Sequence, residues 1–366
     1  MSCKALDVAF AAAYIQGMQN KPSFLSITLP WPATTRGKAP VRPVFIPFSG
    51  CPTRCIFCSQ HVQTGQGQRS LASILAAVRD DLRQRKARQA PAVELAFFGG
   101  TFTAMPAADQ QACLDVAKQG FDEGTVCALR CSTRPDCLSD QAVHRLMAAG
   151  CTMIELGVQS FHDSALATAR RGYSGAVAQE ACAAVLAAGC ALGVQLMPGM
   201  PGVTAAIFLQ DVHKALTSGA HVLRYYPCLV LRGTVLEDLY RQGAYAPWTW
   251  QETLAALTRG WLMARQAKVP VIRMGLAPEE GLDAAVLAGP QHKALGAEVQ
   301  AQALLHTVEQ ACKGQKLLAL TVPRFCQGFF WGGKRRLATA WAGLGLSSQQ
   351  LHWHTLPELV LHCAPK

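Results

Sequence analysis

The sequence predicts an α/β fold, with βα units repeated around a parallel sheet in the manner of a TIM-type barrel and a small α+β extension at the C-terminal end. Three observations predict it. From Pro40 onward, short β-rich runs alternate with longer helical patterns, the rhythm of parallel strands joined by crossover helices. Half of the 366 residues are hydrophobic and only 16% are charged, enough apolar material for a sizeable core and too little charge for a disordered chain. Each predicted strand also ends in a distinctive loop, and in α/β barrels ligands gather at the rim where strands end.

The units follow in order. PVFIPF (43–48) precedes a helix near 70–86, with a cysteine-bearing loop between them. VELAFF (93–98) leads to a helix near 107–120, and TVCALRC (125–131) to one near 139–149. CTMIELGV (151–158) is followed by one or two helices up to about Ala188, CALGVQLM (190–197) by a helix near 204–218, and HVLRYYP (221–227) by one near 234–242. These are six units. A helix at 250–267 and a strand, VPVIRMGL (269–276), come next. The pattern then changes to Gly- and Ala-rich loop and helix, and a last βαβ-like piece contains LLALTV (317–322), a basic helix start at GGKRR (332–336) and LHWHTL (351–356). The expected division is an N-terminal extension 1–40, a barrel 41–275 and a C-terminal extension 276–366.

ALDVAFAAAYI (5–15) is apolar, but Asp7 interrupts it, only Lys4 precedes it and no clear cleavage site follows, so it reads as a helical or frayed extension. No run reaches the roughly 18 apolar residues of a membrane span. The formal charge of +11 can attract nucleic acid, an anionic cofactor or acidic lipid and says nothing about fold. Fifteen cysteines, most of them single within apolar runs, as at Cys182, Cys190 and Cys228, read as buried reduced thiols of a cytoplasmic protein.

GCPTRCIFCSQ (50–60) stands apart. Cys51, Cys55 and Cys58 form a C-x3-C-x2-C string after the first predicted strand. Structural zinc wants four closed ligands, whereas an iron-sulfur cluster takes one thiolate per iron and can leave one iron open. His61 is the convenient fourth zinc ligand, and an open iron is the better reading; ordinary buried thiols are the bland one.

The string, with an aromatic between its last two cysteines, resembles the signature of the radical S-adenosylmethionine (SAM) superfamily. FFGGTFTAMP (97–106), STRPDCL (132–138), IELGVQSFHDSALATARRGYS (154–174), LMPGMPG (196–202) and YYPCLVLRGT (225–234) follow in register. The set is similar to the radical SAM core of the Elongator catalytic subunit and its stand-alone bacterial relatives over about residues 41–275, and GLAPEEGLDAAVLAGPQHKALGAEV resembles the segment after the barrel in those relatives. The resemblance implies a partial (β/α)6 TIM-type barrel, a 4Fe-4S cluster on Cys51, Cys55 and Cys58, and SAM chelated to the fourth iron. It also implies an electron donor such as flavodoxin or ferredoxin, and reductive cleavage of SAM to a 5'-deoxyadenosyl radical that abstracts hydrogen from substrate.

Other roles come with it. Gly99, Gly100 and Thr101 occupy the place where the superfamily presents backbone to the SAM amino group, and a tight βα turn explains the same glycines. Ser132 and Arg134 stand where relatives often carry an acidic residue near the SAM ribose, so a hydroxyl replaces the carboxylate there. Gln159 and Arg171 match positions near the ribose or carboxylate, a role suited to a guanidinium; Arg170 is solvated or exchanges roles with Arg171. Met197 and Pro198 cover the adenine face or fill core, and Phe57 shields the cluster. Glu155, inside the barrel, calls for an arginine partner. Cys127, Cys131 and Cys137 read as packed thiols before an auxiliary cluster.

The resemblance names a chemistry before a substrate. GGKRRLATAW with Phe329, Phe330, Trp331 and Trp341 suits single-stranded nucleic acid, and equally an amphipathic helix docked by its aromatics. Relatives with an acetyltransferase domain act on tRNA, but no stretch of this sequence suggests such a domain. The substrate is left open, and the basic total points to an anionic partner, tRNA among the candidates. The alternatives are an enzyme like the oxygen-independent coproporphyrinogen oxidases, which share GVQSF, and a non-catalytic RNA-binding iron-sulfur protein.

Overall fold

The computed structural model describes residues 24–33, 39–47, 49–59, 69–276 and 281–364. The helix expected over 5–15 and His61 lie outside the described residues. The chain divides into two compact units, Thr35–Gly296 and a second assembled from both ends, Met1–Thr34 with Ala297–Lys366. These boundaries differ from those read from the sequence. Strand β1 (Leu25–Pro30) belongs to the second unit, where it pairs antiparallel with residues 358–363, and a pairing between the two ends of a chain leaves no local signal.

The larger unit is built on seven parallel strands: β2 (Val41–Ile46), β3 (Val93–Gly99), β4 (Val126–Thr133), β5 (Cys151–Gln159), β6 (Ala191–Leu196), β7 (Val222–Tyr225) and, after the two-residue β8 (Val230–Leu231), β9 (Val271–Met274). Their order in the sheet is the order in the chain, and every pairing is parallel. The strand expected at 269–276 thus joins the sheet as a seventh member, because the 17-residue helix before it returns the chain to the same edge. β8 pairs with β10 (Val286–Ala288) in a separate short ladder. In β3 the first five residues are all buried, as expected for parallel strands covered on both faces.

Crossover helices α1 (Leu71–Ala87), α2 (Ala107–Asp122), α3 (Asp140–Ala148), α4 (Asp163–Thr168), α5 (Gly175–Ala187), α6 (Ala205–Thr217), α7 (Val235–Arg241) and α8 (Trp250–Gln266) join the strands. Hydroxyl N-caps start six of them: Ser70, Ser139, Ser174, Thr204, Thr234 and Thr249 each accept an amide of the first turn, which satisfies donors the helix leaves orphaned. Among the described residues no helix is long and apolar enough to cross a membrane. Burial pushes the thiols of Cys113, Cys182 and Cys228 up to about 12, which leaves them inert neutral hydrophobes.

After the four-residue α9 (Leu282–Ala285), the smaller unit takes in nearly all of α10 (Leu295–Cys312), with β11 (Leu317–Pro323), α11 (Ala338–Gly343), β12 (Leu351–His354) and β13 (Glu358–Cys363). Its sheet order is β1-β13-β11-β12, with β11 and β12 parallel. Phe330 and Trp341 stack in its core at 4.5 Å between centroids and are fully buried. The helix start expected at 332–336 is instead a 3-10 turn, Gly333–Arg335, and α11 begins only at Ala338. Two glycines and a left-handed Lys334 keep the chain from entering the helix earlier.

Alternation places charged side chains within the barrel. Arg130 forms a two-pronged pair with Glu94 (2.9 and 2.6 Å) and a third bond to Glu155 (3.0 Å). Glu155, fully buried, also takes Gln195 (3.0 Å) and Arg224 (2.8 Å), which supplies the arginine partner the sequence called for. Removing one member of such a network strands the others. Arg130→Met is expected to lower the unfolding free energy by about 3–5 kcal/mol, read from urea unfolding; an unchanged midpoint would show that the network carries no stability.

Candidate active site

Two loops at the ends of neighbouring strands meet main chain to main chain. The amide of Gly100, after β3, donates to Ile46 O at 2.9 Å, and that of Thr101 to Ser49 O at 2.7 Å. A β-carbon on Gly50 would lie 2.2 Å from Thr101 O, and one on Gly100 would lie 2.0 Å from Ser49 O. Gly50 (φ +72°) and Gly99 (φ +109°) also use backbone open to glycine. The glycines of GGT are therefore demanded by the chain's own packing against the cysteine loop. Thr101, completely buried, sets its hydroxyl 3.4 Å from Cys51 Sγ.

Cys51 and Cys58 are half-buried and Cys55 is buried. The Cys58 amide bonds to Cys55 O at 3.1 Å, and the Leu236 amide to Ile56 O at 2.9 Å, so the loop is held from both sides, with Phe57 buried inside it. Arg171 donates from Nη1 to Cys55 Sγ at 2.9 Å, from Nη2 to Gly157 O at 2.5 Å, and from Nε to the Tyr173 hydroxyl at 3.1 Å. Arg134 lies 3.9 Å from the same sulfur, contacts Thr53 Oγ1 at 3.3 Å, and grips Asp136 with two bonds at 2.9 and 2.8 Å. A further bond runs from Arg134 Nη2 to Arg171 O. The Tyr173 ring carries both guanidiniums, at 5.4 and 5.1 Å. Arg171 thus faces Cys55, while Arg170, left-handed at φ +53°, is exposed.

Gln159 ends β5 with φ +66°, and its side-chain oxygen is buried with no hydrogen-bond partner. A left-handed glutamine with an unsatisfied buried acceptor is costly and is the kind of strain that gathers at ligand sites. Its carbonyl accepts from the Met197 amide at 2.8 Å, which joins two of the predicted contacts; the Met197 side chain is half-buried. Ser132, half-buried on β4, stands in register opposite Glu155. Cys131 is buried and Cys137 half-buried, as packed thiols would be, whereas Cys127 is exposed where the β3–β4 register shifts, so it does not pack with Cys131 as the alternation suggested.

Three residues not singled out in the sequence organise this rim. Asp211, on α6, accepts Ser160 Oγ and the Phe161 amide, both at 2.7 Å, and so holds the loop that follows Gln159. Thr103 joins the GGT loop to the next one through Thr133 Oγ1 (2.5 Å) and Cys137 O (2.6 Å). Tyr173 sits within the quoted ARRGYS, but nothing in its spacing marks it as a platform.

The sequence profile of the radical SAM superfamily matches residues 45–215, and that of the Radical SAM C-terminal domain matches residues 220–304. The chain belongs to the radical SAM superfamily. It is an enzyme of that class, and the family's cofactors are a 4Fe-4S cluster and SAM. The chain is 28% identical over 186 residues to a tRNA uridine(34) acetyltransferase of Methanocaldococcus infernus, covering 45% of this chain and 35% of the relative. It is 27% identical over 249 residues to one of Dehalococcoides mccartyi, covering 59% and 54%. It is 28% identical over 177 residues to Elongator complex protein 3 of Schizosaccharomyces pombe, covering 43% and 32%. The chain spans from about a third to about half the length of these relatives. Among solved structures, the archaeal M. infernus Elp3 with an N-terminal deletion superposes with a TM-score of 0.57 at 21% identity, over 75% of this chain and 63% of that one, which supports the fold.

Among the described residues, no three histidine, cysteine, aspartate or glutamate side chains are drawn together as metal ligands. The donor chemistry nonetheless fits an iron-sulfur cluster: three thiols on one loop, two guanidiniums beside Cys55 to offset anionic charge, and a buried amide oxygen of Gln159 with unused acceptor capacity at the same rim.

Gly100→Ala is expected to retain native far-UV circular dichroism but bind several-fold less iron on anaerobic reconstitution; full iron loading would sink the packing argument. Burial, partly offset by the bonds from Phe161 and Ser160, raises the Asp211 carboxyl from 3.8 to about 6. A raised carboxyl favours the folded state while protonated, so its contribution is present below about pH 3.8 and lost as pH rises through about 6. Asp211→Asn is expected to flatten the fall in stability across that window, measured by chemical denaturation at stepped pH.

Proposed function

We propose that Cys51, Cys55 and Cys58 hold a 4Fe-4S cluster with one iron left to SAM, and that the enzyme acts on tRNA in the cytoplasm with a flavodoxin- or ferredoxin-type electron donor. With both groups bound, the site supplies one-electron reductive cleavage of the SAM sulfonium and hydrogen-atom abstraction from substrate. The observation that carries the reading is the cysteine loop locked against the GGT turn with Arg171 donating to Cys55 Sγ at 2.9 Å.

The chain's own residues have separable tasks. Arg171 and Arg134 place positive charge where a thiolate-ligated cluster adds negative charge. Gln159 offers an acceptor to a hydroxyl donor such as those of a ribose, and the Met197 segment bonded to it lies alongside. Ser132 offers a neutral hydroxyl where relatives often carry a carboxylate. The tRNA substrate is supported by the named activity of the relatives and by the +11 charge.

After anaerobic reconstitution and reduction, the protein is expected to convert SAM to 5'-deoxyadenosine, followed by mass spectrometry, and to do so faster when tRNA is added. Alanine at Cys51, Cys55 or Cys58 is expected to abolish the conversion; persistence in all three variants would refute the assignment.

A further inference from the structure

Between Glu309 and Glu358 the chain has no acidic residue, yet Lys313, Lys316, Arg324, Lys334, Arg335 and Arg336 all fall there. This is six positive charges of a total excess of +11, in a stretch lying beyond both family profiles, which end at residues 215 and 304. The smaller unit shapes part of it into a loop. Lys334 and Arg335 are consecutive residues with left-handed backbone, φ +50° and +57°, a conformation L-residues adopt at a cost and only where surroundings enforce it.

The enforcing group is Glu298 on α10, which is buried. Its carboxylate accepts the Gly333 amide and, at 2.5 Å, Arg336 Nε, while Arg336 Nη1 reaches Gln302 at 3.0 Å. Arg336 is thereby committed to holding the loop. Lys334 and Arg335 are exposed, and the Arg335 guanidinium lies 4.6 Å from the Trp331 ring centroid.

The neighbouring aromatics divide into two sets. Phe330 and Trp341 are fully buried and serve the core. Trp331 is half-buried and Phe325 is 44% exposed. Tight turns link them: the Phe329 and Phe330 amides bond to Cys326 O, Gly332 to Phe329 O, and Leu337 to Trp331 O. One continuous run of turns therefore carries Phe325, Trp331, Lys334 and Arg335.

We infer that this run, Phe325 to Arg335, is a contact surface for single-stranded RNA, built from cationic charge, a guanidinium stacked on indole, and an exposed ring. Backbone charge with sequence-tolerant stacking is how unpaired strands are held. A duplex-RNA reader would span successive minor grooves with a broad shape-matched face, whereas these residues lie on one short run of turns and the neighbouring α11, ATAWAG, carries no charge. A membrane-surface element would be an amphipathic helix, and these residues lie on turns. The inference rests on the tRNA reading only in taking RNA as the relevant nucleic acid.

The test uses full-length, cluster-loaded protein and a fluorescein-labelled single-stranded 12-mer RNA of mixed sequence, followed by anisotropy across a salt series. Lys334→Glu with Arg335→Glu is expected to weaken binding at least ten-fold and to reduce the salt slope by about 1.4 or more, the share of two backbone contacts. Phe325→Ala is expected to weaken it about five-fold or more with the slope unchanged, as loss of stacking would. Both should keep the wild-type unfolding midpoint and RNA-independent SAM cleavage. If the double variant unfolds, Arg335→Gln takes its place, with a smaller loss of affinity and slope expected. Undiminished RNA binding by the variants, tighter binding of a duplex 12-mer, or binding of anionic phospholipid vesicles in place of RNA would each overturn the inference. Wild type that binds the 12-mer through these residues but never cleaves SAM would sink the proposed function and leave this surface standing; the converse result would do the reverse.

Discussion

The amides of Gly100 and Thr101 bond to Ile46 and Ser49 carbonyls at 2.9 and 2.7 Å, and at that separation neither Gly50 nor Gly100 has room for a β-carbon. Everything at the rim is referenced to this contact. It positions the loop that carries three thiols against the end of an adjacent strand, so that the loop takes its geometry from the sheet. Thr101 then touches Cys51, and Ile56 ties the far side of the loop to α7.

Charge is arranged in two layers with different logic. Within the barrel, Arg130 and Arg224 are matched by Glu94 and Glu155, and the matched set costs less to bury than any member alone. At the rim, Asp136 answers Arg134, whereas Arg171 directs its bonds to a thiol, a backbone carbonyl and a phenol. Positive charge beside Cys55 in a buried setting is favourable for a thiolate and for an anionic cluster of the kind the family uses.

Much of the larger unit was legible because each of its strands is a short apolar run bounded by turn residues, and longer helical patterns alternate with them. VELAFF and CTMIELGV fell within a residue or so of β3 and β5. Glu155 announced its need for a partner simply by being a carboxylate among apolar neighbours, although Arg130 and Arg224 could not be picked from several arginines. β1 and β13 went unseen because their pairing joins opposite ends of the chain. The GGKRR segment read as a helix start from composition, and the turn found there depends on Glu298, 35 residues upstream of Gly333. Asp211 was equally invisible, an acidic residue within a helix whose partners lie on another loop.

By itself the sequence determined the alternation of elements, the three thiols and their spacing, and hence the chemistry they suit, since these are properties of neighbouring residues. Only the tertiary structure decided which arginine meets Cys55, that the GGT glycines serve main-chain contact, which aromatics of the last segment are core and which are surface, and that both termini build one sheet. Those outcomes depend on contacts between residues far apart in the chain, and a side chain's partner across a fold is set by register, crossing and burial, none of which is written in its immediate surroundings.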